Sequence, residues 1–286
     1  MSEDWRPRFQ RLVEKKRHEA ATAALPRYTT ALDSARDASG VEAIGNTWSM
    51  ALFDGPFYLL PPRAAGKPAC SLVFVQSSDG NTVTRDPASL GGGDTDKHVV
   101  YEGLSRVAAD GVLAGAETVR GGDVVFSVWH EQLVALRASL GRPRHPAQIV
   151  ATLGGVDLDR HLLFNVPDLA VVLVTLRATA DRMRTALERR PWVALVAMTA
   201  PQDLPHAFGQ LRAMGIERMS CIGGRTLAGH LLDAGLVEDV YLTTGTREGG
   251  EPGTPMYAKP WRHRVLVRKH GTGAEAGVVF EHLVPR

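Results

Sequence analysis

Cys221-Ile222-Gly223-Gly224-Arg225-Thr226-Leu227 is the stretch that decides the fold. Upstream, residues 216–222 are largely apolar and predict a buried strand. Downstream, Leu227, Ala228, Leu231 and Leu232 recur at helical spacing as far as Gly235. A strand that delivers two glycines into a helix start lets backbone approach a phosphate closely, with free helix N–H groups facing the anion. One such turn is equally well read as a plain connection. Its weight comes from a second junction, Gly111-Val112-Leu113-Ala114-Gly115-Ala116-Glu117-Thr118-Val119-Arg120, where a short apolar strand again runs into glycine, small residues and a hydroxyl. Two such junctions on one sheet can hold the two ends of a dinucleotide. The G-x-G-x-x-G fingerprint with a following acidic residue is not found, so the nucleotide reading requires another α/β architecture.

Composition narrows the classes. At 286 residues the chain can bury one large α/β core with an appendage. Thirty-three Lys and Arg nearly balance 31 Asp and Glu, for a net charge of +2, which argues against a nucleic-acid or acidic-membrane partner. Lys15-Lys16-Arg17 is flanked by Glu14 and Glu19 and reads as a solvated helix face. No apolar run reaches membrane-spanning length, and the polar, acidic start does not read as a signal peptide. Cys70 and Cys221 sit by apolar strands and are expected to pack as small hydrophobes in a reducing cytoplasm. The ten histidines show no metal-ligand spacing; His206, His230 and His263 read as surface or helix-end residues, and no metal is expected. Trp129 and Trp192 are read as core residues.

Residues 1–66 differ from the rest. Trp5, Phe9, Leu12 and Val13 suggest an amphipathic helix, and Asp54-Gly55-Pro56 and Pro61-Pro62 suggest a linker, so this stretch is expected to be a helical appendage. From residue 67 on, strands and helices alternate. Expected strands are 71–76, 111–115, 148–153, 170–176, 193–198, 216–222 and 237–244, with helices between them. Residues 264–269 and 277–283 read as an antiparallel hairpin. The pattern predicts a mostly parallel sheet covered by helices on both faces and closed by antiparallel edge strands.

With these elements placed, four segments carry a resemblance. They are Ser77-Ser78-Asp79-Gly80, Gly91-Gly92 before the helix ending Arg106-Val107-Ala108-Ala109-Asp110, Gly115-Ala116-Glu117-Thr118-Val119-Arg120, and Gly223 to Gly229 running on to Ala234-Gly235-Leu236-Val237-Glu238-Asp239. In order and spacing they resemble the reductase domain of the riboflavin-pathway deaminase-reductases, a branch of the dihydrofolate-reductase-like fold, over about residues 70–245. The resemblance implies a three-layer α/β sandwich and an NADPH-dependent reductase of a small heterocyclic substrate, usually a homodimer. By position, Gly115 and Thr118 would line the cofactor, Gly223, Gly224, Arg225, Thr226 and Leu227 would receive its phosphates, and Thr175 would lie near its adenosine end.

Asp79, Asp96, Arg120 and Ile222 are the candidate substrate residues, each with a plainer reading beside it. Asp79 suits a turn and Asp96 suits the cap of a helix over residues 97–108. Arg120 covers a helix end or anchors an anion. Ile222 stands where the family usually has glutamate before its two glycines. The acidic stretch ending at proline is missing after Arg120, and the usual basic residue is not evident around His98-Val99-Val100. Cofactor features are kept and substrate features are altered. The zinc deaminase half, which needs His-x-Glu and Pro-Cys-x-x-Cys, is absent. No nucleophile–base pair is evident, and hydride transfer needs none, leaving the catalytic proton source unassigned. Reduction of a pterin or folate, and a non-catalytic nucleotide-binding regulatory protein, remain as alternative readings.

Overall fold

Runs such as Val171-Val172-Leu173-Val174 are buried on both sides, which is what a parallel sheet covered on both faces demands. The computed structural model describes residues 4–62, 65–84 and 86–286. In chain order its strands are Tyr28–Asp33 (β1), Glu42–Ile44 (β2), Phe57–Leu59 (β3), Ala69–Gln76 (β4), Gly111–Gly115 (β5) and Ala147–Thr152 (β6). Val171–Leu176 (β7), Val193–Met198 (β8), Arg218–Cys221 (β9), Asp239–Thr244 (β10), His263–Gly271 (β11) and Val279–Pro285 (β12) follow. Ten form one sheet in the order β1-β11-β12-β10-β4-β9-β5-β6-β7-β8, while β2 and β3 make a separate ribbon.

From β10 to β8 all neighbours are parallel, and β12, β11 and β1 continue the sheet antiparallel. The expected architecture is therefore present: a mostly parallel α/β sandwich with a C-terminal antiparallel hairpin. After β8 the chain returns to the middle and inserts β9 between β4 and β5. Such a reversal leaves a crevice at the carboxyl ends of the strands.

Side chains alternate across the sheet with the two-residue period of a strand. Val112, Ala114, Val150 and Leu173 pack on one face with Val99, Leu104, Val107, Leu133 and Leu136. Leu113, Ile149, Val172 and Val174 pack on the other with Leu204, Phe208, Leu211, Ala228 and Leu231. The two cysteines are free and buried on adjacent strands, as small apolar side chains. His206, His230 and His263 are exposed, and Trp129 is buried.

The N-terminal expectation needs correction. Residues 5–22 do form a helix, α1 (Trp5–Thr22), and Thr47–Phe53 forms α2, but the segment also carries three strands and is no purely helical appendage. β1 pairs antiparallel with β11, Tyr28 opposite Gly271 and Thr30 opposite Lys269. Tyr28-Thr29-Thr30 has the aromatic and β-branched character that suits a strand, and its pairing covers an edge that β11 would otherwise leave open. Lys269 is buried against this segment, its Nζ donating to Thr30 Oγ1 at 2.8 Å and to the Asp54 carbonyl at 2.9 Å. Burial pushes its pKa down to about 8.

Two further boundaries moved. β9 begins at Arg218 because the Asp110 carboxylate accepts the Glu217 and Arg218 N–H groups, each at 2.9 Å, before the ladder starts. The helix expected over residues 97–108 runs from 93 to 107, with Asp96–Leu104 wound as a π-helix and a non-helical backbone at Gly103.

The C-terminal end of that helix is held by Arg137. Its Nη1 donates to the carbonyls of Arg106, Val107 and Ala109 at 2.8–3.0 Å, and its Nε donates to Pro143 at 2.6 Å. Replacing it leaves buried carbonyls without donors, each costing roughly 1–3 kcal/mol. Arg137→Met is therefore expected to lower stability by about 2–4 kcal/mol in urea unfolding; a change below about 0.5 kcal/mol, the ordinary surface range, would show that the clamp contributes nothing.

Candidate functional site

The two glycine junctions lie side by side. β5 and β9 are parallel neighbours, and their ladder continues past the strand ends: the Ile222 N–H donates to the Leu113 carbonyl at 2.9 Å and the Gly115 N–H to the Gly223 carbonyl at 3.2 Å. Gly223 has φ +136°, a conformation that L side chains rarely adopt, and a Cβ built on Gly223 or Gly224 would meet no atom within 4 Å. Behind them stands the helix Arg225–Asp233, whose N-terminal end has no side-chain cap. Its first-turn amides, from Arg225, Thr226 and Leu227, face the open cradle. Arg225 Nε is buried without a partner among the described residues. An open backbone cradle, unpaired amides and a guanidinium with an unused N–H suit a phosphate group.

The first-turn residue Thr118 is half-buried on the helix Ala116–Arg120, directly beyond Gly115. Thr175 lies near the end of β7, two strands from β5, which is roughly 10 Å by strand spacing. It is fully buried and its Oγ1 has no partner among the described residues. Ile222 is 7% exposed and belongs to the apolar cluster of the first face, so it presents no polar group at the junction.

The remaining candidates separate. Asp79 sits in an exposed turn after β4, accepting from Ser77 Oγ at 2.5 Å, Asn81 Nδ2 at 2.8 Å and the Gly249 N–H at 3.3 Å. The Ser77 hydroxyl bond, before the Gly249 and Asn81 bonds, holds its pKa below the usual carboxylate value. Its carboxylate is committed to the turn and to the loop after β10. Arg120 pairs with Glu117 on its own helix and donates from Nη2 to the Gly155 carbonyl at 2.8 Å, tying the helix to the segment after β6.

Asp96 is not a helix cap. It lies inside the helix, 7% exposed, and accepts from Thr243 Oγ1 of β10 at 2.5 Å. Burial, opposed by the Thr243 bond and reinforced by the charge of Glu275, pushes its pKa up to about 7. Glu275, in the turn between β11 and β12, accepts the Thr95 N–H at 2.9 Å, and burial raises its pKa as well. Gly93 permits this approach: with φ +85°, a Cβ there would lie 2.4 Å from the Glu275 carboxyl carbon. The phenol of Tyr28, from β1, is buried beside both acids with its hydroxyl unpartnered among the described residues, and Glu275 Oε2 is unpartnered too. Sequence reasoning found Asp96 and missed Glu275, Tyr28 and Thr243; the one local signal was the glycine-rich run 91–93, which those contacts require.

Where the resembling family carries a basic residue, His98 is buried with Nδ1 3.7 Å from Glu102, and Lys16 of α1 donates to Glu102 at 2.8 Å. Burial lowers the His98 pKa. A cavity of about 20 Å³ lined by Ala69, Ser71, Ser105 and Arg218 lies at the amino ends of β4 and β9, remote from both junctions and large enough for little more than a water molecule.

Comparison with known proteins gives a consistent set of likenesses. The family model described as the RibD C-terminal domain matches residues 68–265. A pyrimidine reductase-like protein from Corynebacterium diphtheriae superposes with a TM-score of 0.63 at 22% identity, over 77% of this chain and 92% of that one. RibD of Acinetobacter baumannii gives 0.60 at 19% identity, over 78% of this chain and 59% of that one. The Saccharomyces cerevisiae riboflavin biosynthesis reductase Rib7 gives 0.54 at 16% identity, over 78% and 92%. Among curated proteins, none matches.

The raised Asp96 pKa makes a stability prediction. A carboxyl that holds its proton more tightly folded than unfolded contributes stability that is complete below the unfolded value near 4 and is lost as pH rises through about 7. Asp96→Asn removes that dependence. Relative to the parent, the variant is expected to gain stability between pH 5 and 8, by an amount on the order of a few kcal/mol. A constant difference across that range in thermal unfolding would contradict the buried, proton-holding carboxyl.

Proposed function

The chain belongs to the RibD C-terminal domain family, and from that premise we propose that it is an NADPH-dependent reductase of a small heterocyclic substrate, similar to 5-amino-6-(5-phosphoribosylamino)uracil reductase. The observation that carries the reading is the pairing of Gly115 with Gly223, which puts both glycine junctions on one rim of the sheet. Gly223, Gly224 and the amides of Arg225, Thr226 and Leu227 hold the cofactor's phosphates in this reading. Gly115 and Thr118 line its path, and the unpaired Thr175 hydroxyl meets its adenosine end. When bound, the dihydronicotinamide supplies a hydride to a C=N or C=O carbon. The protein's contribution is to orient that carbon, exclude water and provide the proton.

Ile222 supports a substrate less polar than the family's usual phosphoribosylamino-pyrimidine. A carboxylate at this place would accept a charge-assisted hydrogen bond from an N–H donor, an interaction worth about 1.5–3 kcal/mol that isoleucine cannot make. Asp79 and Arg120 are spent on local structure, which leaves Asp96 as the candidate polar contact to substrate. The proposal includes a homodimer in the cytoplasm. β8 leaves an open sheet edge on which Leu195 is 43% exposed, and an exposed edge with an apolar side chain favours a second copy of the chain. Among the described residues, no helix is long and apolar enough to cross a membrane.

Two outcomes test this function. Gly224→Val places a branched side chain in the cradle, at a position where a Cβ meets no atom within 4 Å; it is expected to bind NADPH at least tenfold more weakly by calorimetry, a loss of about 1.4 kcal/mol or more. Equal affinity would remove the phosphate cradle. Steady-state kinetics address Ile222: turnover of the phosphoribosylamino-pyrimidine is expected to fall below about 10⁴ M⁻¹s⁻¹ in kcat/KM, the lower end of ordinary enzymes. A value well above that makes Ile222 a tolerated variation.

A further inference from the structure

The site reading leaves the proton of the reduction without a source, and the buried acids beyond β10 offer one. Thr243 lies opposite Val75 at the carboxyl ends of β10 and β4, and β4 separates them from β9, whose end carries Ile222 and Gly223. Thr243 and Ile222 share the first face of the sheet, two strand spacings apart and offset by two residues along β4, roughly 12 Å. Gly92 packs over half-buried Val75 beside Asp96: a Cβ there would lie 2.8 Å from Val75 Cγ2 and 3.1 Å from Asp96 Oδ2. Asp96 faces Thr243 from above. The groups around Asp96 are Thr243 of β10, Glu275 of the β11–β12 turn, Tyr28 of β1 and Tyr101 of its own helix; none is a cation.

Tyr28 comes from outside the stretch matched by the family model. The strap that carries it is fastened at both ends of the acid cluster: Thr95 Oγ1 donates to the Pro26 carbonyl at 2.9 Å, and Thr272 donates to the Arg27 carbonyl from its N–H at 3.0 Å and its Oγ1 at 2.6 Å. The Tyr28 side chain is 1% exposed and lies beside both acids. We propose that Asp96 is the proton donor of the reduction and that the N-terminal segment, through Tyr28, is the wall that keeps it protonated. In this step the C=N or C=O π bond breaks as its carbon gains the hydride of the dihydronicotinamide. The heteroatom takes the Asp96 carboxyl proton, and the carboxylate left behind is reprotonated from water. Asp96 is the catalytic residue; Tyr28 and Glu275 are positioning residues that act through it. This inference rests on the reductase reading.

The experiment has one arm that needs neither cofactor nor substrate. In the full chain labelled with ¹³C at aspartate carboxyls, one carboxyl is expected to titrate near neutral pH and to vanish in Asp96→Asn. Tyr28→Ala, which admits water, and Glu275→Gln, which removes a like charge, are each expected to lower that midpoint by about one pH unit or more, and Tyr28→Phe is expected to restore it. Should Tyr28→Ala fail to fold, Glu275→Gln decides the coupling. Titration of every aspartate in the ordinary carboxylate range overturns the proposal, as does a midpoint indifferent to both variants. The second arm follows NADPH oxidation with 5-amino-6-(5-phosphoribosylamino)uracil and with a dihydropterin. Asp96→Asn is expected to lose roughly 10²–10⁴-fold in kcat and the alkaline limb of the pH profile; retention of both overturns the donor role. No oxidation by the parent with either compound overturns the reductase reading itself, even where the titration behaves as expected.

Discussion

The hydrogen bond from the Gly115 N–H to the Gly223 carbonyl is the constraint on which the candidate site depends. It extends the β5–β9 ladder beyond its last strand residues and locks two loops, 108 positions apart in sequence, into one surface. The pairing exists only because β9 inserts between β4 and β5 rather than continuing outward from β8. A sheet in simple sequential order would separate the glycine turns and leave each as an ordinary connection. The same insertion sets Ile222 on the face where the buried acids of the helix 93–107 and the hairpin turn converge.

Much of this was legible in the sequence. The parallel strands declare themselves because burial on both faces requires continuous apolar runs, as at Gly111–Gly115, where expectation and structure coincide. The glycine junctions are local signals, since a turn that must leave room for a ligand or adopt positive φ restricts the residue itself. β1 was not legible for the opposite reason. Tyr28–Asp33 is a six-residue segment whose partner lies more than 230 positions away, and its strand state comes from β11 offering an open edge. Asp96 misled in an informative way. A polar residue before an apolar helical run has the signature of a cap, but the helix begins earlier, at Gly93, and turns Asp96 inward onto Thr243.

The N-terminal segment changes how the fold is held together. Arg8 pairs with Asp123 at 2.6 Å, Lys16 with Glu102 at 2.8 Å, and Lys269 is buried against Thr30 and Asp54. These ties span helix, loop and hairpin, so residues before the family domain brace the helix that carries Asp96 and His98. The most exposed of them, Arg8 with Asp123, stabilises little by itself. Their consequence here is geometric, because they fix which side chains close the acid cluster.

Reception of a dinucleotide by the paired glycine junctions can be read residue by residue. Amide NMR of the full chain titrated with NADPH tests it most directly. Saturable shifts are expected to concentrate at Gly115, Thr118 and residues 223–227, with Thr175 affected at the far end and the amino ends of β4 and β9 unmoved. Shifts absent from residues 223–227, or centred elsewhere on the sheet, would contradict it.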